Sequence, residues 1–214
     1  MSVFLKSSSL CLPKIYLINH SIDYIPGGLL YYSAMPKIIE MLYVVGLAFG
    51  NEIFAKIIHF SFGILSLIAL YKLSRKFLSK IFSLLVLVLF YSNLVVGWMS
   101  ITSYVDLART FFEIMALWGF VNWWEKNIKK WLIFSAIMLG LAISTKLLAI
   151  GSLLIFSFLI IYFFIRRRKF KWSHLITNIL VYWWLALLIP LPWFVYSYIN
   201  TGNPIYPFFT SIYP

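Results

Sequence analysis

The chain has 214 residues, 63% of them hydrophobic and 11% charged, with a mean hydropathy of +0.92. That balance excludes an ordinary soluble domain. The formal charge of +12 does not point to nucleic acid, because the basic residues collect in short patches between apolar runs, and a single cysteine, Cys11, rules out a disulfide framework and a thiolate metal site.

Residues 1–50 begin with a stretch, 1–37, that has no apolar core of signal-peptide quality and no helix long enough to span a bilayer. They read as an outer-face loop carrying one or two short helices along the membrane surface. Residues 36–49, PKIIEMLYVVGLAF, are apolar but only about 14 long, nearer to an interfacial or re-entrant helix than to a span, and Pro36 suits its first turn. Six longer apolar segments follow, at roughly 51–72, 81–99, 104–124, 131–148, 150–165 and 174–198. A hydrocarbon core of ~30 Å needs about 20 such residues per helix. The runs are continuous and lack the alternation of an outer-membrane barrel. The fold class expected is therefore all-α: a polytopic transmembrane bundle of about six spanning helices. Its parts are the loop 1–50, the bundle 51–198 and an outer-face tail 199–214, together one incomplete domain.

The basic patches fix an orientation. Lys72, Arg75, Lys76 and Lys80 follow the first segment, Lys126, Lys129 and Lys130 the third, and Arg166, Arg167, Arg168, Lys169 and Lys171 the fifth. The positive-inside rule puts all three in the cytoplasm. An up-and-down path then leaves residues 1–50, the turns near 98–103 and 144–151, and the tail on the opposite face.

Ionisable groups at membrane depth mark a pathway or a site, and Glu40, Asp106 and Lys146 map to outer ends of segments. Lys146, in GLAISTKLLAIGSLL, is the only charge between Lys130 and Arg166 and lies on the face the positive-inside rule disfavours. Either an anionic ligand holds it there, or it snorkels to headgroups or pairs with a carboxylate. Asp106 has two readings as well. Ser103 to Asp106 has the S-x-x-D spacing of a capping box, or the carboxylate belongs to a site. Arg109 and Glu113 stand one turn apart and can neutralise one another. His20 and Asp23, in INHSIDYIPGG, are spaced for a shared ligand, a weak metal signal without further ligands. His59 reads as a hydrogen-bonder within the bundle and His174 as a headgroup contact. Trp123, Trp124, Trp131, Trp172, Trp183 and Trp184 fit interfacial belts.

Three stretches resemble membrane glycosyltransferases of the C superfamily (GT-C), which includes the protein mannosyltransferases and the lipid A aminoarabinose transferase. LPKIYLINHSIDYIPGGLLYYSAMPKIIEMLYVVGLAFGNEIFAKIIHF is similar to the part of the first outer loop that leads into the next span. SYVDLARTFFEIMALW followed by GLAISTKLLAI is similar to the family's aspartate at a helix start and lysine at a helix end. PLPWFVYSYINTGNPIYPFF resembles the turn with which many of these chains leave the membrane.

The resemblance implies transfer of a sugar from a polyprenyl-phosphate carrier to a lipid, glycan or protein acceptor at the outer face of a bacterial or archaeal cytoplasmic membrane. By the same resemblance Lys146 contacts the carrier phosphate, Asp106 and Glu40 line the sugar or acceptor cavity, and His20 joins them. No cofactor is indicated, and a divalent metal ion is left open. The family's catalytic acid sits upstream of the stretch resembling LPKIYL. Here that place holds MSVFLKSSSLC, with no Asp or Glu before Asp23, so the candidates for the acid are Asp23 and Asp106. The expectation is of a truncated member, inactive alone, whose partners are the lipid-linked donor, membrane lipid and a further membrane protein. A non-enzymatic membrane subunit and a transporter or flippase are the rival readings.

Overall fold

The structure, a computed structural model, describes residues 8–166 and 172–210. Arg167, Arg168, Lys169 and Lys171 of the third basic patch, and the first seven residues, lie outside the described residues. Among those described, all regular structure is helical. Helix α1 (Ser8–Asn19) leads through a 3-10 turn (Gly28–Ala34) to α2 (Ile38–Phe49). Then come α3 (Glu52–Ser74), α4 (Lys80–Tyr91), α5 (Leu94–Ser100), α6 (Asp106–Lys126) and α7 (Lys129–Thr145). A one-turn 3-10 segment (Leu147–Ala149) joins α7 to α8 (Ile150–Arg166), followed by α9 (Trp172–Leu188) and α10 (Leu191–Thr201).

The boundaries follow local chemistry. Asn51 and Asn93 cap α3 and α5, their side-chain oxygens accepting the N–H of Ile53 at 2.8 Å and of Val95 at 3.0 Å. Helix α6 closes on Asn127 in the left-handed region (φ 56), and α10 on Gly202 (φ 71). The segment expected as one span over 81–99 is two helices meeting at 72°, and that over 174–198 is two meeting at 61°. Asn93 starts a new helix in the first case. In the second, Pro190 and Pro192 cannot continue the ladder of α9.

Two helical stretches are long and apolar enough to cross a membrane, Glu52–Ser74 and Leu147–Arg166, and each bent pair adds a span if it is counted as one. Helix α6 carries Asp106, Arg109, Glu113, Glu125 and Lys126, and α7 has 17 residues. Both sit inside the bundle, where packing rather than hydropathy holds them. Helix α6 lies most extensively against α7, which also packs on α9. Small residues permit the close approach. A Cβ on Gly119 would stand 3.1 Å from the backbone nitrogen of Ser135 and 3.2 Å from the Trp131 carbonyl oxygen. Ser135 Oγ donates to the Ala116 carbonyl at 2.7 Å and lies 3.1 Å from Tyr182 Oη of α9.

The core formed by α6, α7, α8 and α9 includes Trp123, which is 2% exposed and packs on Phe163 at 4.4 Å between centroids. This corrects the interfacial expectation for that residue. Trp183 likewise turns inward, its Nε1 donating to Ser157 Oγ at 2.8 Å. The outer faces are apolar instead: Ile57 of α3, Val88 of α4, Phe158 of α8 and Leu180 of α9 are all at least half exposed. A surface of this kind is a lipid-facing wall, and the chain is an integral membrane protein.

The two ends of the bundle differ in charge. Lys76, after α3, pairs with Glu125 near the end of α6, and Trp124 meets Tyr162 at 5.8 Å near the end of α8. The turn after α3 and the ends of α6 and α8 are thus gathered at one end. Helix α2, the start of α6 and the turn after α7 meet at the other.

Candidate functional site: a charged cleft where four elements meet

Helix α2 has 12 residues, about 18 Å of rise, too short to span. It is held by contacts to α1 and α3. Tyr43 is completely buried, donates its hydroxyl hydrogen to the Tyr104 carbonyl oxygen just before α6, and lies 3.1 Å from His59 Nδ1 of α3. With that proton committed to the carbonyl, the tautomer that satisfies the pair has His59 donating from Nδ1. This hydrogen-bonded group ties α2, α3 and the entry to α6 together.

Around that junction lies a cleft of about 320 Å³ lined by Tyr31, Tyr32, Glu40, Tyr104, Asp106 and Lys146, among others. Asp106 is the first residue of α6, and Lys146 ends α7 in an extended conformation. Lys146 Nζ donates to Asp106 Oδ1 at 2.7 Å, with 42% of the lysine side chain and 21% of the aspartate still exposed. The capping-box reading of Asp106 is corrected. The residue before α6 is Val105, no side chain caps the helix, and Ser103 Oγ is buried without a partner. The helix starts at Asp106 itself, two residues later than that pattern requires, so its carboxylate is free to meet Lys146.

Glu40 is the buried member of the group. It is 8% exposed, and its Oε2 has no hydrogen-bond partner. Burial pushes its carboxyl up to about 7, against the opposing pull of its own backbone N–H, Lys37 and Lys146; the Asp106 charge adds to the rise.

Lys37 was not legible as a site residue. It is 1% exposed, donates to the Ser33 carbonyl oxygen and to Tyr16 Oη at 3.2 Å, and lies over the Tyr196 ring at 4.5 Å and the Trp193 ring at 5.8 Å. Burial lowers its ammonium to about 8, with the Glu40 charge acting the other way. The cage links α1, the 3-10 turn and α10. A signal existed in the sequence: a lysine just after Pro36, at a helix start where the macrodipole disfavours a cation, needs another source of stabilisation.

His20 and Asp23 are not brought to the cleft. Helix α1 ends at Asn19, His20 turns away with φ 53, and Asp23 is exposed and accepts from Ser21 Oγ. Arg109 and Glu113 pair as their spacing implies, at 3.4 Å, and Glu113 also accepts from Ser152 Oγ of α8 at 2.7 Å. No three His, Cys, Asp or Glu side chains among the described residues form a group that could hold a metal ion.

Next to the polar cleft is an apolar groove of about 240 Å³, lined by Leu147, Leu148, Ile150, Gly151, Ile205, Phe208 and Phe209. Leu147 lines both. The tail side of that groove is held in shape by Asn203. Its side chain donates to the Phe208 carbonyl at 2.8 Å and accepts from the Ile205 N–H at 3.0 Å.

A helical membrane protein with a cation, two carboxylates and three tyrosines at one end, opening beside an apolar groove, has the parts needed to bind a polar group on a lipid anchor. The profile of the family described as dolichyl-phosphate-mannose-protein mannosyltransferase matches residues 38–196, and the chain belongs to that family, one of the C superfamily of membrane glycosyltransferases. The matched region runs from the first residue of α2 into α10, so Glu40, Asp106 and Lys146 fall inside it, whereas His20 and Asp23 fall outside. No curated protein and no solved structure matches the chain.

Proposed function

We propose that the cleft is the donor site of a glycosyltransferase that takes a sugar from a polyprenyl-phosphate carrier at the outer face of the membrane. The observation that carries this reading is Lys146, a half-exposed ammonium at the boundary between a polar cleft and an apolar groove. A lipid-linked sugar phosphate has the same order of parts: tail, anion, sugar. The phosphate takes Lys146 from Asp106 in a charge-assisted contact, the first tail units occupy the groove, and the sugar enters the cleft among Tyr31, Tyr32 and Tyr104. Asp106 and Glu40 line the sugar or acceptor space. During transfer Lys146 stabilises the charge that develops on the departing lipid phosphate. In this reading the path crosses six times, with α6 and α7 enclosed by the other spans. The basic turns face the cytoplasm, as the positive-inside rule requires.

The test is binding of polyprenyl phosphate to the chain in lipid nanodiscs, for the wild type and Lys146→Ala. Loss of one charge-assisted contact of about 1.5–3 kcal/mol weakens binding roughly 10-fold to 100-fold. Equal binding by both proteins refutes the donor-site reading.

A further inference from the structure

A displacement at an anomeric carbon requires something to take the acceptor's proton, and the cleft holds two carboxylates that differ in how they are engaged. Asp106 has one oxygen bonded to the Lys146 ammonium. Glu40 is more than nine-tenths buried, lines the same cleft, and leaves Oε2 without a donor. An unpartnered buried carboxylate oxygen is an expensive arrangement for a protein to hold in its resting state. It becomes useful when a ligand brings an O–H to it.

We propose that Glu40 is the proton acceptor for the incoming hydroxyl, with Asp106 serving Lys146 rather than the acceptor. The proposal rests on the donor-site reading. The acceptor's proton moves to Glu40 Oε2 as its oxygen bonds to the anomeric carbon. The bond from that carbon to the bridging phosphate oxygen breaks, and its electron pair leaves with the lipid phosphate held by Lys146. With water as acceptor the products are free sugar and lipid phosphate.

The surroundings suit the role. Two cations bear on Glu40, Lys37 from the start of its own helix and Lys146 from the end of α7, against one anion, Asp106 from α6. The phenols Tyr16 of α1, Tyr32 of the 3-10 turn and Tyr43 of α2 are near enough to be influenced by its charge, and His59 of α3 stands behind Tyr43. Burial holds the Glu40 carboxyl at about 7, where a general base combines a useful ionised fraction with proton affinity.

The experiment uses the full chain in nanodiscs with dolichyl-phosphate carrying radiolabelled mannose. Donor binding and release of labelled sugar to water are measured from pH 5 to pH 9, for the wild type, Glu40→Gln and Glu40→Asp. The expected result is that both variants still bind the donor, through the phosphate contact at Lys146, which also reports that they fold. Release falls about 10²-fold to 10⁴-fold in Glu40→Gln, with partial activity in Glu40→Asp. The wild-type rate falls on the acid side of the Glu40 value, and that limb is absent from the residual Glu40→Gln rate. Equal release by wild type and Glu40→Gln overturns this inference and leaves the donor site standing. A wild type that binds the donor without releasing sugar also overturns it, because the cleft then lacks a competent base. Failure of the wild type to bind the donor overturns both readings together.

Discussion

Replacing Glu40 by glutamine should make the protein more stable, and only at neutral and alkaline pH. Glutamine has the shape of the carboxyl without its charge. The Glu40 carboxyl stands at about 7 in the folded chain, against 4.5 for an ordinary glutamate, because burial disfavours the ionised form. Between those values the folded chain binds more protons at this site than the unfolded chain, so stability falls as pH rises through the window. The contribution is fully present below 4.5 and lost above 7. At about 1.36 kcal/mol per unit, the ionised side chain costs up to about 3 kcal/mol at pH 8. Glu40→Gln escapes that cost. Thermal unfolding in a matched detergent, followed by intrinsic fluorescence, should show near-equal midpoints at pH 4.5. At pH 8 the variant should lead by several degrees, on the scale of roughly 2–4 °C per kcal/mol for a chain of this size. A gap that does not widen with pH would mean that Glu40 is not ionised in a buried place, and the argument for its role would lose its physical basis.

Other outcomes follow from the geometry. Asp106→Asn removes the anion that competes for Lys146, so bare polyprenyl phosphate should bind several-fold more tightly and with a steeper dependence on salt; weaker binding would place Asp106 in direct support of the ligand. Gly140→Ala puts a Cβ 2.9 Å from the Ala186 carbonyl oxygen and 3.0 Å from Ile189 Cβ, an overpacking of α7 on α9 that should destabilise by about 1–3 kcal/mol. Gly151→Ala, with nothing within 4 Å, should instead be neutral or stabilising by up to about 1 kcal/mol, and thermal shifts of the pair test the packing directly. In a Cys11→Ser background, a cysteine at Lys129 should react with an impermeant maleimide only from the cytoplasmic side and one at Thr102 only from the outer side. Labelling of both from one side would refute the six-span path.

Much of the helical layout was legible because apolar runs of membrane length are a strong signal, and each of the six segments contains helix. The breaks were weaker. Asn93 and Pro190 are visible in the sequence as a cap and a breaker, but hydropathy averaged over a window hides them inside single runs. Site residues fared according to how local their cause is. Lys146 stood out because it contradicts the charge rule on its own. Asp106 was open between cap and site, since only the start of α6 decides what its carboxylate meets. Lys37 offered only the oddity of a cation at a helix start, because the rings that hold it, Tyr16, Trp193 and Tyr196, come from both ends of the chain. Trp123 misled for a related reason: tryptophan next to a basic turn reads as interfacial, and only the packing of α6 against α8 turns it inward.

The acids at the cleft end of the bundle show three different ways in which a carboxylate can be engaged. Glu113 has both oxygens engaged, one by Arg109 and one by Ser152 Oγ, so its charge is neutralised within the bundle and ties α6 to α8. Asp106 is engaged by a cation that remains partly exposed to the cleft, so a second anion can replace it. Glu40 has an oxygen with no partner at all, in a helix that could have buried an apolar side chain there at no such cost. Satisfied, exchangeable and unsatisfied are three different states, and in the proposed reading they correspond to holding the bundle, binding a phosphate and accepting a proton. The short helix α2 brings the last of these to the other two. It is fixed from below by Tyr43 and His59 and at its start by the cage around Lys37, so the unsatisfied carboxylate is held in place by contacts that do not themselves use it.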